Sequence, residues 1–109
     1  QQNFIYPLEL KGSDKIVKLK GYLDSGNLMM ENGVPVVFLD HRFEVYFQSE
    51  DIQWIVMKTM QGESKVKCRK AQARLSDTHY HPVWIHFTDS LHLPHGAKAL
   101  LNLHMMTQE

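Results

Sequence analysis

The sequence predicts a mostly β fold, either a small barrel or a sandwich, on three observations. Apolar and polar residues alternate over short runs. Those runs are separated by Gly, Asn, Ser and Asp turn chemistry, and no stretch holds a helical period for long. With 109 residues, 43% hydrophobic and 22% charged, the chain has the make-up of one folded domain, far from disordered or collagen-like compositions.

Taken in order, residues 4–11 read as a strand and Gly12-Ser13-Asp14 as its turn. In residues 15–24, Val17, Leu19, Gly21 and Leu23 fall on one face and Lys18, Lys20, Tyr22 and Asp24 on the other, completing a hairpin. Asn32-Gly33 marks a tight turn before Val34-Pro35-Val36-Val37-Phe38-Leu39, an unbroken apolar run expected to be buried on both faces and central in the sheet. Residues 41–53 keep no clean period and read as a short helix or a loop. Ile52, Trp54 and Val56 share one face, Gln61-Gly62-Glu63-Ser64 turns, and residues 65–71 return with Val66 and Cys68 alternating against Lys65, Lys67 and Arg69, a second hairpin. A break at Ser76-Asp77-Thr78 precedes a strand carrying Val83, Ile85 and Phe87. Leu93-Pro94-His95-Gly96 breaks the chain again before the apolar run of residues 97–106. Five to seven strands are expected, with Trp54, Trp84 and Phe87 placed where core or dimer-interface residues would sit, the core by default.

Lys plus Arg number 12 and Asp plus Glu number 12, so no net positive field draws in a nucleic-acid backbone and no nucleic-acid partner is expected. The longest apolar run is far short of the roughly 20 residues of a membrane-spanning helix. One cysteine, Cys68, excludes an internal disulfide and a multi-thiolate zinc site. The opening Gln1-Gln2-Asn3 has neither an initiator Met nor a signal-like character, so a domain excised from a longer protein is expected. His79-x-His81 has a spacing that can serve a metal, but no third ligand is named by spacing, and no metal or cofactor is expected. The cations beside Cys68 are of the kind that lower a thiol pKa, but no His stands at a catalytic spacing from it. Lys15, Lys18 and Lys20, and Lys65, Lys67, Arg69 and Lys70, read as the wet faces of strands.

The segment with chemistry written into it is Tyr22-Leu23-Asp24-Ser25-Gly26-Asn27. A carboxylate leaves an apolar strand into a turn where Gly26 lets backbone come close and Ser25 can hydrogen-bond a neighbour. Such an acid is expected to be pinned, partly desolvated and surrounded by backbone N–H donors, the conditions that tune a carboxyl pKa. The competing reading is an ordinary hairpin turn in an unrelated sandwich, with Asp24 bonding its own backbone.

Lys18-Leu19-Lys20-Gly21-Tyr22-Leu23-Asp24-Ser25-Gly26-Asn27-Leu28, followed by Val34-Pro35-Val36-Val37, resembles the active-site region of the SpoIIGA-type aspartic peptidases, which process the sporulation sigma-E precursor. Ile55-Val56-Met57-Lys58-Thr59-Met60-Gln61-Gly62 and Ala99-Leu100-Leu101-Asn102-Leu103-His104-Met105-Met106 are similar to that family's later apolar segments. The resemblance implies a small closed β-barrel of the retropepsin-like aspartic protease type, and an endopeptidase cutting a protein precursor. It also implies a bacterial, cytoplasmic-side location with membrane attachment through an N-terminal portion. Asp24 would act as general base and general acid by turns, with Ser25, Gly26 and Asn27 supporting the catalytic loop. Because the chain holds one such triplet, the active site would be completed in a homodimer, Asp24 of each subunit meeting at the axis. A flap would come either from the turn at residues 61–64 or from residues 41–53. Where the related folds place Gly after two apolar residues, Asn102 stands here, so that position is expected to be built differently. The alternative function keeps the fold without activity: a catalytically silent β-barrel binding or regulatory module.

Overall fold

The computed structural model describes residues 4–76 and 78–107; residues 1–3 and 108–109, and Asp77 of the expected break at Ser76-Asp77-Thr78, lie outside them. β1 (Ile5–Lys11) and β2 (Ile16–Leu23) form the first hairpin, in register from Ile5 opposite Tyr22 to Lys11 opposite Ile16. Their alternation puts Leu8, Leu10 and Val17 inside, while Lys18 and Lys20 stay wet. β3 (Met30–Glu31) turns through Asn32 and Gly33 into β4 (Val34–Asp40). Both turn residues have positive φ, 49° and 77°, the backbone that Asn-Gly takes most readily between antiparallel strands.

After β4 the chain forms a 3-10 helix over His41–Phe47, started by the Asp40 carboxylate accepting from Arg42 N and anchored by buried Phe47 against Phe87. β5 (Ile52–Thr59) and the long β6 (Gly62–Leu75) make the second hairpin, and β7 (His81–Thr88) returns along β6. A short 3-10 turn at Pro94–Gly96 leads to β8 (Ala99–Leu101), followed by a 3-10 helix over Leu103–Thr107.

The strands run in the order β1-β2-β8-β4-β7-β6, and β6 pairs back to β1, closing a six-stranded barrel. Closure removes the free edges of these six strands, while β5 stays outside the ring with β6 as its neighbour. β4 lies between β8 and β7, as its apolar sequence predicts. The interior is filled by Leu8, Leu10, Val37, Leu39, Phe47, Val83, Ile85, Leu101 and their neighbours. A satellite cluster of Val36, Ile55 and Cys68, with Met29, Phe38, Val66 and Trp84 against it, lies under the β5–β6 hairpin.

Three expectations change. Eight strands form among the described residues, because β3 and β8 are too short to show a period. The second turn comes at Met60-Gln61, with Thr59 opposite Gly62, two residues earlier than the sequence suggests. Trp54 is not core: it is 58% exposed, with Ile52 and Val56 beside it, whereas Ile55 is 1% exposed. β5 pairs only with β6, so the face carrying Trp54 has no second layer to pack on, and Ile55 points to Cys68 and Val36 instead.

Candidate active site

β8 sits between β2 and β4, parallel to the first and antiparallel to the second. The Asp24 loop therefore does not close a hairpin. It carries the chain from β2, over the end of β8, to β3 and β4. The Leu101 side chain of β8 lies over Gly21 of β2: a β-carbon there would stand 2.5 Å from Leu101 Cδ2, so glycine leaves the space that this side chain fills.

Two buried asparagines hold this loop. Asn27 Nδ2 donates to the carbonyls of Val36 and Leu101, both at 3.1 Å. Asn102 Nδ2 donates to the carbonyls of Met29 at 2.7 Å and Val36 at 3.1 Å, and its Oδ1 accepts from His104 N. Leu103 N donates to Asn27 O, and Val36 N to Met29 O. Each amide finds its hydrogen-bond partners in backbone groups of the loop and the strands beside it, which is what makes burying it tolerable. The position of the departure, Asn102, is thus a fastening point. Its signal in the sequence is a lone amide inside the apolar run of residues 97–106.

On this support Asp24 stands at the end of β2. Gly26 N donates to Asp24 Oδ1 at 2.9 Å, and Asn27 N to Asp24 O at 3.0 Å. A β-carbon at Gly26 would lie 3.3 Å from Asp24 Oδ1, so the glycine serves close approach to the carboxylate. The expected partial burial and ring of donors are not found among the described residues: Asp24, Ser25 and Gly26 are exposed, and one backbone N–H reaches the carboxylate. Among the described residues nothing covers Asp24, Ser25 or Gly26. Asn27 alone of the four is buried.

Asp24 borders a groove of about 650 Å³ lined by Leu28, Met29, Glu31, Phe38, Leu100 and, opposite, Val56, Met57 and Lys58 of β5. Adjacent residues Val56, Met57 and Lys58 belong to opposite faces of their strand, so the groove runs along the unpaired edge of β5. Neither candidate covering element is part of its wall: residues 61–64 and 41–53 do not line the groove, which β5 borders through Val56, Met57 and Lys58, ahead of the turn. The satellite cluster lies behind it, since Met29 and Phe38 both pack on that cluster and line the groove.

Cys68 belongs to the same cluster. Burial first, and the charge of Glu31 second, push its thiol up to about 12, against the lowering that Lys67 and Arg69 suggest from sequence. Those cations are held elsewhere: Glu44 pairs with both, and Arg69 also donates to the Gln48 and Glu50 carbonyls. His79 and His81 lie on another cavity, of about 220 Å³, with Tyr6, Leu75 and Met105. Among the described residues, no three His, Cys, Asp or Glu side chains are grouped to hold a metal ion. Among the same residues, no helix is long and apolar enough to cross a membrane. Comparison with protein-family models, curated proteins and solved structures gives no match.

Proposed function

We propose that the chain is the peptidase domain of a retropepsin-like aspartic endopeptidase that cuts a protein precursor, its site completed when two copies bring their Asp24 side chains together. The observation that carries this reading is the loop itself. Asp24 stands on a segment fastened by buried amides to two strands, β4 and β8, at the wall of a groove whose size falls in the range of ligand sites. A hairpin tip in a sandwich would have its two strands side by side; here β8 separates them.

Peptide hydrolysis by paired carboxylates needs one ionised and one protonated group, and closeness separates their pKa values. In the proposed dimer, Asp24 takes a proton from water as the water attacks the amide carbon. The partner subunit's Asp24 gives its proton to the carbonyl oxygen, and the pair returns a proton to the leaving amine. Gly26 N, which bonds Asp24 Oδ1, fixes that oxygen in place. The free edge of β5 offers backbone groups to an extended peptide, as an added strand would use them. The mechanism also accounts for an exposed Asp24 in one chain, because the second copy supplies the cover.

The competing reading, a silent binding module of the same architecture, is favoured by that same exposure taken alone. The two separate in one experiment: precursor or peptide cleavage by the protein at concentrations spanning its association, beside Asp24→Ala. Cleavage that follows the dimer fraction and vanishes in Asp24→Ala, with the fold intact by circular dichroism, is the expected outcome. Cleavage at an unchanged rate in that variant refutes the assignment, and peptide binding without cleavage by the unaltered protein selects the silent module.

A further inference from the structure

The groove beside Asp24 has an uneven charge. Its floor is apolar, from Leu28, Met29, Phe38 and Leu100, and its ionisable side chains are Asp24, Glu31 and Lys58. Lys58 is exposed and turned toward Glu63, 3.8 Å away across the hairpin. Glu31 has no such counter-ion: among the described residues no ion pair or side-chain hydrogen bond engages its carboxylate. It is half-buried and lines the groove.

Its backbone is fixed as well. Glu31 lies opposite Val34 across the Asn32-Gly33 turn, and the preceding Met29 carbonyl is held by Val36 N and Asn102 Nδ2. An unpaired carboxylate on a fixed backbone beside an apolar floor is matched by a cation on an apolar chain. The zero net charge of the whole sequence leaves no long-range field to compete with this local one.

Resting on the reading that the groove takes an extended peptide, we propose that Glu31 sets its specificity, selecting segments in which an Arg or Lys stands a fixed distance along the peptide from the residues seated over Phe38 and Leu100. A half-buried, charge-assisted contact of this kind gives a preference of about fivefold to tenfold.

The test measures binding, so that it does not depend on turnover. The probes are fluorescent decapeptides of Leu, Phe and Ala in which a single Arg is moved through every position, each beside its Gln counterpart. They are titrated into Asp24→Asn, into Asp24→Asn with Glu31→Gln, and into Asp24→Asn with Glu31→Lys. One Arg position is expected to bind about fivefold to tenfold tighter than Gln, the difference shrinking at high salt, vanishing with Glu31→Gln, and reversing toward a Glu-bearing peptide with Glu31→Lys. An arginine preference that persists in Glu31→Gln, the absence of any preferred position, or no peptide binding at all overturns the proposal. Failure of the peptidase reading looks different: the chain with Asp24 intact binds the preferred peptide, loses that preference with Glu31→Gln, and cleaves nothing at any concentration.

Discussion

At the scale of single residues, the molecule depends on two amides. Asn102 is wholly buried and makes two donor bonds and one acceptor bond. Replacing it by Ala removes all three and leaves a small void, at a cost of about 2–3 kcal/mol. Asn102→Asp keeps the acceptor for His104 N but sets carboxylate oxygens against two carbonyl oxygens in a dry site, so it is expected to be worse than Ala. Urea unfolding of the three proteins checks the order; an Asp variant as stable as the parent would show that the donor bonds do not hold the loop. The triplet made Asp24 and the close approach of Gly26 legible in the sequence. The clasp was not, because three of its bonds join residues 66 to 74 apart and no local pattern links an amide at one end of the chain to carbonyls near the other. Asn102 showed only as a departure from a pattern, and the structure supplies the reason.

At the scale of elements, period gave the hairpins but not which face of each was covered. β1, β2, β4 and β7 bury the residues their alternation or unbroken apolarity assigns, because each has neighbours on both sides and the interior behind it. β5 carries two apolar sets, Ile52, Trp54 and Val56 on one face and Ile55 and Met57 on the other. The larger set lost: sequence cannot say that the strand has one neighbour and extends past the barrel wall. The energetic consequence follows from what each residue touches. Ile55→Ala empties a site packed by Val36 and Cys68 and is expected to cost about 2–4 kcal/mol. Trp54→Ala, losing mostly solvent-facing surface opposite Lys67, should change stability by about 0.5 kcal/mol or less. Denaturant midpoints at a concentration where the chain is monomeric decide it, and equal losses would mean that Trp54 is covered after all. β3 and β8, two and three residues long, were invisible for lack of a period, yet β8 is what separates the acid loop from a hairpin.

At the scale of the whole molecule, barrel and sandwich were equally readable in the sequence. The difference lies in one pairing, β1 with β6, from Leu8 opposite Leu75 to Lys11 opposite Gln72. That seam carries its own electrostatics. Glu9 and Arg74 are directly opposed across it, with Arg74 Nη2 3.1 Å from Glu9 Oε2, and Tyr80 Oη donates to Glu9 Oε1 at 2.9 Å. The tyrosine hydrogen bond first, and the arginine second, hold the Glu9 carboxyl below its ordinary value of 4.5. A carboxyl depressed in the folded state binds protons less readily there than in the unfolded chain. Its contribution is therefore complete above pH 4.5 and is lost as the pH falls through the lower folded value. Asp40, held low by its bonds to Arg42, adds to the same acid loss at another place, so the seam is isolated by comparison. Glu9→Gln should be less stable than the parent near neutrality and lose less on acidification, the two unfolding midpoints converging as Glu9 becomes protonated. A constant gap between them at every pH would show that the barrel closes on its backbone ladder and apolar interior, with no help from the charge at its seam.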